Sequence, residues 1–320
     1  MLTLESLVLA ESDANSAQWI RSQLSSLFIA SFWDVGIVHA PIYRFLEKGF
    51  SSTVEWVSYS GGNRRFIADP FLFERDGEIS LLTEEFDYRT GRGQIIETSL
   101  SSKGQTRKVA IAENCHMSYP YVFTCLGKTY CTPETHQKRE VALYELNPSS
   151  AQWEKRRALI TGFPACDPTV IQYQNRWWVF FTRSDDIRQQ DLYIFHAPCL
   201  DGPWEQHVSS PVRRDRSCCR SAGTPFIHDG YLFRPAQDLS RFYGGGITLN
   251  RVTELTIDTF REEVAQRVSA LPGSTREIHT LSGLGNITVI DSLRRRFAPR
   301  ETPRMIARKA RKILCALHSY

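Results

Sequence analysis

Hydrophobic and polar positions alternate along most of this chain, and one short phrase interrupts the alternation at regular intervals. Ala68-Asp69-Pro70-Phe71-Leu72-Phe73, Ser118-Tyr119-Pro120-Tyr121-Val122-Phe123 and Cys166-Asp167-Pro168-Thr169-Val170-Ile171 each set a polar residue and a proline at the head of an apolar run. A turn follows every copy, at Asp76-Gly77, Gly127-Lys128 and Asn175-Arg176, and then a second period-two run. Period two over runs of this length predicts strands, and the turn residues predict hairpins. Asp69 and Tyr119 lie 50 residues apart, Tyr119 and Asp167 48. A degenerate fourth copy starts near Ala222, with its turn at Asp229-Gly230, and a fifth is expected from His279. Repeats of about this length with several strands each predict a β-propeller. The fold class expected is therefore all-β, a five-bladed β-propeller.

Outer strands follow the same logic. Val141 to Leu146 and Asp191 to Ala197 are each followed about ten residues later by a tryptophan, Trp153 and Trp204, expected to pack between adjacent blades. Residues 14–31 read as a helix with Trp19, Ile20, Leu24, Leu27 and Phe28 on one face, and residues 32–39 as a strand. Residues 33–38 are expected to complete the last blade and so remove an open sheet edge. The organisation expected is 1–50 as N-terminal helix and closing strand, 51–293 as the propeller, and 294–320 as a basic amphipathic tail.

Composition narrows the classes. With 42% hydrophobic residues the chain has the make-up of a soluble globular protein, and 12% aromatics suit both sheet packing and sugar stacking. No apolar run is long enough to cross a bilayer. Glu5 and Glu11 replace the basic lead-in of a secretory signal, so export is not expected, and the sequon Asn286-Ile287-Thr288 would go unused. The eight cysteines are then free thiols, and none shows the Cys-x-x-Cys spacing of a zinc site. Gly244-Gly245-Gly246 lacks the strand–loop–helix setting of a phosphate cradle. No cofactor and no metal are assigned, although a ring of acids could coordinate a cation.

The net charge is +4, yet residues 294–320 alone hold nine basic residues against Glu301, which leaves the preceding chain acidic. From Pro303 to Leu317 the tail reads as a helix with Ile306, Ala310, Ile313, Leu314 and Leu317 on one side. Such a helix either lies on an anionic membrane surface or docks on the propeller by its apolar stripe. The location expected is cytoplasmic, peripheral at the inner face of the membrane where the tail binds. Nucleic acid is not an expected partner, because the charge sits in one terminal segment without a nucleic-acid-binding fold.

Antiparallel pairing returns the end of each second strand to the start of the first. Asp69 and Glu84 are 15 residues apart, as are Tyr119 and Glu134, while Asp167 lies 15 from Thr182 and 16 from Arg183. One mouth should therefore gather Asp69, Glu84, Glu85, His116, Tyr119, Glu134, Asp167, Arg183, Arg220, Arg234, Gln237, Asp238 and His279. Each alone is explained by an ordinary salt bridge closing the blades. Together they indicate a ligand site, since unpaired buried charge costs several kcal/mol per group.

These stretches also carry a resemblance. Ala68-Asp69-Pro70-Phe71 resembles the first-blade motif of five-bladed glycosidases of the arabinanase, β-xylosidase and invertase kind. More closely, the chain resembles the N-terminal, glycosidase-like domain of glucosamine inositolphosphorylceramide transferases and their stand-alone bacterial relatives. The residues that carry this are Phe66-Ile-Ala-Asp-Pro-Phe71, Glu84-Glu85, His116-Met-Ser-Tyr-Pro120, Pro133-Glu134, Asp167-Pro168-Thr169, Gly202-Pro203-Trp204, Arg220-Ser-Ala-Gly223, Arg234-Pro-Ala-Gln-Asp238 and His279-Thr280-Leu281, spanning 66–281. The resemblance implies a glycan or glycolipid substrate, with Asp69 as base and Asp167 as modulator. It places the acid on the fourth blade, where this chain has Arg220-Ser221-Ala222-Gly223 instead. Two readings follow. In one, an enzyme cleaves or transfers a glycosidic linkage, with Asp69 as base, Glu134 or else Glu84 as the substitute acid, and Asp167 tuning the site. In the other, Arg220 and Arg234 hold an anionic glycan or sugar-phosphate lipid without chemistry, assisting a glycosyltransferase.

Overall fold

Each recurring phrase opens the first strand of a four-stranded antiparallel sheet. The structure is a computed structural model describing residues 29–62, 64–100, 106–186, 188–270 and 276–297. Blade one comprises Arg65–Arg75, Glu78–Asp87, Arg92–Ser99 and Arg107–Ile111. Blade two comprises Ser118–Cys125, Lys128–Thr135, Glu140–Leu146 and Trp153–Thr161. Blade three runs through Ala165–Tyr173, Arg176–Arg183 and Asp191–Ala197, whose outer edge pairs with both Glu205–Gln206 and Arg213–Arg214. Blade four holds Phe226–His228, Tyr231–Gln237, Ile247–Leu255 and Phe260–Val268. The fifth sheet joins Leu281–Leu284 and Ile287–Phe297 from one end of the chain to Ile29–Val38 and Glu55–Trp56 from the other. The fold is the five-bladed β-propeller, its last blade completed by an N-terminal strand.

Two boundaries differ from the expectation. Residues 29–31 belong to the closing strand and not to a helix, because pairing in the fifth sheet overrides their helical periodicity. Ile287–Phe297 runs past 293, into the first residues assigned to the tail. The rest of the helix read over 14–31 and the helix read over 303–317 lie outside the described residues. Contacts divide the chain into a larger body, Trp33–Asp87 with Arg92–Leu293, and a smaller unit of Met1–Phe32, Tyr88–Gly91 and Arg294–Tyr320. Within the smaller unit the Tyr88 hydroxyl donates to the Ser31 carbonyl, and the Tyr88 ring meets Phe32 edge-on at 5.6 Å.

The prolines explain what the phrase does. Ala68 pairs with Glu84 and Phe71 with Leu82, so the first strand carries one extra residue between these pairs. The same slip separates Ser118/Glu134 from Tyr121/Thr132 and Cys166/Thr182 from Thr169/Phe180. These are β-bulges, and proline suits them because it has no N–H to give to the ladder. The residue before each proline turns into the left-handed region, with φ of 51° at Asp69, 45° at Tyr119 and 49° at Asp167. Its N–H leaves its own ladder and points at a carboxylate on a neighbouring blade. Asp69 N donates to Asp291 Oδ2 at 3.0 Å, Tyr119 N to Asp69 Oδ2 at 3.1 Å, and Asp167 N to Glu134 Oε2 at 3.0 Å.

Blade four lacks the phrase for a steric reason. A Cβ on Gly223 would lie 1.8 Å from the Leu281 carbonyl oxygen. Blades four and five meet there backbone to backbone, through Leu281 N to Ala222 O at 2.8 Å and Thr224 N to Leu281 O at 3.1 Å. Tyr119 fills the same region. Its buried hydroxyl accepts from Gly223 N at 2.8 Å and lies 3.0 Å from Thr169 Oγ1, tying blade two to blades three and four. Tyr119→Phe should strand the Gly223 N–H and cost about 1–3 kcal/mol in urea unfolding. A variant as stable as the parent would remove this role. Between blades one and two, Trp153 meets Phe73 edge-on at 5.5 Å, the packing expected of it.

Candidate functional site

The common register places Glu84, Glu134 and Thr182 at equivalent positions on the second strands. Side chains alternate along a strand, so Glu85 and Arg183, one residue further on, take the other side. Glu85 accepts from Tyr59 Oη at 2.8 Å and Gln94 Nε2 at 2.9 Å. Arg183 grips Asp185 with two bonds, at 2.7 and 2.6 Å. Neither joins the central cluster.

Around the bulges the structure brings together Asp69, Glu84, Glu134, Asp167, Arg220, Gln237 and His279, all buried. Arg220 Nε contacts Asp167 Oδ2 at 2.5 Å and Nη2 lies 4.0 Å from Glu134 Oε2, while Nη1 donates to Gln189 Oε1 at 2.5 Å. Gln237 Nε2 adds a bond to Asp167 Oδ2 at 2.9 Å. Glu134 also has His136 Nδ1 at 2.6 Å. Burial opposes ionisation of Glu134, but the His136 bond and the Arg220 charge outweigh it and bring the group down to about 2. Burial pushes Asp167 above the ordinary carboxylate range despite Arg220, and the Glu134 charge adds to the rise.

Glu84 is the exception in its bonding. Its Oε1 is buried and accepts no hydrogen bond among the described residues. His116 Nε2 stands 3.7 Å away, and His116 Nδ1 accepts from Gly93 N at 2.8 Å. A Cβ on Gly93 would fall 2.3 Å from both Glu84 Oε1 and the Met117 carbonyl, so only glycine admits this carboxyl. Burial first, then the charges of Asp69, Glu134, Asp167 and Asp291, hold Glu84 well above the usual range.

Asp69 sits at the head of a relay. His279 Nε2 is 3.5 Å from Asp69 Oδ1, and His279 Nδ1 is 2.7 Å from Asp291 Oδ1. Thr280 Oγ1 donates to Asp69 Oδ1 at 2.9 Å. Burial disfavours the charged form of His279, yet Asp291 and Asp69 on either side raise it above its ordinary value. Asp69 is raised by burial, with His279 pulling the other way. Trp33 stacks on the His279 ring at 3.9 Å, and Tyr243, 49% exposed, meets His279 edge-on at 5.3 Å with the Arg220 guanidinium 5.3 Å from its ring. Tyr243 thus presents an aromatic surface beside the acids, as sugar sites do.

Ligand atoms of Asp69, His279 and Asp291 lie within 4.8 Å of one another, close enough to share a cation. Asp291 already accepts from His279 N at 3.2 Å, Thr280 N at 2.9 Å and Asp69 N at 3.0 Å. These bonds account for the convergence without an ion.

Other predicted residues go elsewhere. Arg234 is buried within blade four against Glu262, Asp238 pairs with Arg267 at 3.0 Å, and Tyr119 is enclosed as described. The sequence reading missed Asp291, Trp33 and Tyr243. Asp291 lies only 12 residues beyond His279, against the 15 of blades one and two, so the repeat offset passes over it.

Comparison with known proteins fits this geometry. The model of the family "Glucosamine inositolphosphorylceramide transferase 1, N-terminal" matches residues 51–280. The chain is 33% identical over 205 residues to glucosamine inositolphosphorylceramide transferase 1 of Oryza sativa subsp. japonica, covering 62% of this chain and 27% of the relative. To the protein of that name from Arabidopsis thaliana it is 26% identical over 211 residues, covering 63% and 28%. The chain thus spans about a quarter of the length of these curated relatives. Among solved structures, Zg3597, a family 117 glycoside hydrolase of Zobellia galactanivorans, superposes with a TM-score of 0.51 at 16% identity, over 82% of this chain and 90% of that one. The exo-β-1,3-galactanase 1,3Gal43A of Clostridium thermocellum gives 0.50 at 13%, over 70% and 58%. These two likenesses speak for the fold alone. The family match, which spans most of the chain, shows that it belongs to the glucosamine inositolphosphorylceramide transferase 1 N-terminal family.

Proposed function

We propose that this chain is a carbohydrate-active propeller that cleaves or transfers a glycosidic linkage of a surface glycan or glycolipid. The observation that carries this reading is the convergence of Asp69, Glu84, Glu134 and Asp167 from three blades, beside the aromatic face of Tyr243. A glycosidic oxygen leaves with a proton, and the attacking hydroxyl or water must lose one, so the chemistry requires carboxyls held in different protonation states. Asp69 takes the proton from the attacking group, with His279 and Thr280 fixing its orientation. Asp167, locked by Arg220 and Gln237, tunes the electrostatics of the site. The name of the curated relatives, glucosamine inositolphosphorylceramide transferase 1, supports the substrate class.

Asp69→Asn should lower turnover of a glycoside or glycolipid substrate by about a hundredfold or more, at an unchanged unfolding midpoint. Equal turnover by the variant would sink the proposal. The second reading, a module that binds an anionic glycan for a partner glycosyltransferase, is favoured by the carboxyl-free Ser221-Ala222-Gly223 stretch of blade four. Against it, the Arg220 fork is already occupied by Asp167 and Gln189. Affinity that survives Asp69→Asn but collapses with Arg220→Ala would decide for binding alone.

A further inference from the structure

Resting on that reading, we propose that Glu84 is the proton donor of this site. The sequence expectation gave the role first to Glu134. The two residues hold the same register position on adjacent blades, but their surroundings are opposite. Glu134 accepts from Asp167 N at 3.0 Å and has His136 Nδ1 at 2.6 Å, with Arg220 alongside. Every one of these contacts favours the carboxylate, and a group stabilised as an anion holds no proton to donate near neutrality. Glu84 has no cationic fork. Its buried Oε1 is without a hydrogen-bond acceptor or donor among the described residues, as a hydroxyl waiting for a ligand oxygen would be. The charges of Asp69, Glu134, Asp167 and Asp291 all act on it, and the imidazole of His116 stands 3.7 Å away. The Gly93 N–H donates to His116 Nδ1 at 2.8 Å and so fixes the ring beside Glu84. Burial and the four negative neighbours both favour the neutral acid.

The proton on Glu84 Oε1 moves to the glycosidic oxygen as the bond from that oxygen to the anomeric carbon breaks, and the bonding pair stays with the oxygen. A water or acceptor hydroxyl forms the new bond at the anomeric carbon and releases its proton to Asp69. Glu84 ends as a carboxylate and Asp69 as an acid, and exchange of one proton through solvent restores the start.

Three measurements on the full chain test this. The first needs no turnover. At neutral pH, infrared spectra of the wild type should contain the carbonyl band of a protonated carboxyl group that Glu84→Gln removes and Glu134→Gln leaves in place. Stability gives a check that does not depend on spectroscopy. The native state holds the Glu84 proton more tightly than the unfolded chain, so wild-type stability should fall as pH rises above 4.5, and Glu84→Gln should lessen that fall. The third measurement compares leaving groups. Glu84→Gln should slow cleavage of an alkyl glycoside by roughly a hundredfold or more and of an activated aryl glycoside by less than about tenfold, since a good leaving group needs no proton. A missing band, or the leaving-group pattern appearing in Glu134→Gln instead, would overturn the assignment. A band specific to Glu84 in a protein that turns over no glycoside would overturn the proposed function and leave the buried acid standing.

Discussion

Replacing Asp291 with alanine is expected to lower the unfolding free energy by about 3–5 kcal/mol, a large share of the stability of an ordinary domain. The side chain is fully buried and accepts four hydrogen bonds, from Asp69 N, His279 N, Thr280 N and His279 Nδ1. Three of these donors are backbone amides, one of them the Asp69 N–H that the bulge has turned away from blade one. Removing the acceptor leaves them buried and unpaired. The loss falls on the joint between blade five, which holds both ends of the sheet order, and blade one, where the repeat begins. His279 gives the variant a second signature. Its ordinary value is 6.5, and the folded protein raises it. The native state therefore binds that proton more tightly than the unfolded chain. The stabilisation is complete below 6.5 and fades as pH climbs through the raised value. Asp291→Ala should lose both the increment and this pH dependence, read by urea unfolding at several pH values. A loss below about 1 kcal/mol would show that water replaces the carboxylate and that the joint is held elsewhere.

The sequence made this joint only half visible. The bulges were legible because their cause is local: a proline at a fixed place in an alternating run, repeated at nearly constant spacing. The offset of 15 residues that found Glu84 and Glu134 follows from hairpin geometry, and it held wherever the hairpin kept its length. In blade three it lands on Thr182, which holds the equivalent register, whereas Arg183, one residue further on at an offset of 16, turns to Asp185. A single-residue error is enough, since it exchanges the two sides of a strand. In blade five a shorter hairpin brings Asp291 to His279, and no repeat marks the aspartate. Blade four was opaque for another reason. Gly223 is dictated by the Leu281 carbonyl of the next blade, and contacts between blades leave no periodic trace in the chain. Charge was the least informative signal. Arg220 and Arg234 look alike in sequence, yet one stands among the site carboxyls and the other is enclosed in its own blade.

That second arginine should produce the other large effect. Arg234→Met is expected to cost about 3–5 kcal/mol, because it leaves Glu262 charged in a dry interior. The two side chains are 1% and 0% exposed, and the guanidinium fork meets the carboxylate with Nε–Oε2 at 3.0 Å and Nη2–Oε1 at 2.7 Å. Burial works against the cation, but the Glu262 charge and hydrogen bonds more than compensate and raise Arg234 further. Arg213 Nη1, 3.5 Å from Glu262 Oε1, is too distant and too exposed to replace the fork. Adding Glu262→Leu to Arg234→Met removes the stranded charge and fills the space with apolar volume, so the double variant should regain most of the loss. Recovery will be incomplete. Arg234 also donates to the Cys218 and Cys219 carbonyls, and methionine offers them nothing. The difference between the double variant and the wild type therefore measures those two carbonyls, about 1–3 kcal/mol, separately from the ion pair. If the double variant unfolds no later than Arg234→Met, the cost lies in the carbonyls and packing against Phe180, and the pair itself contributes nothing.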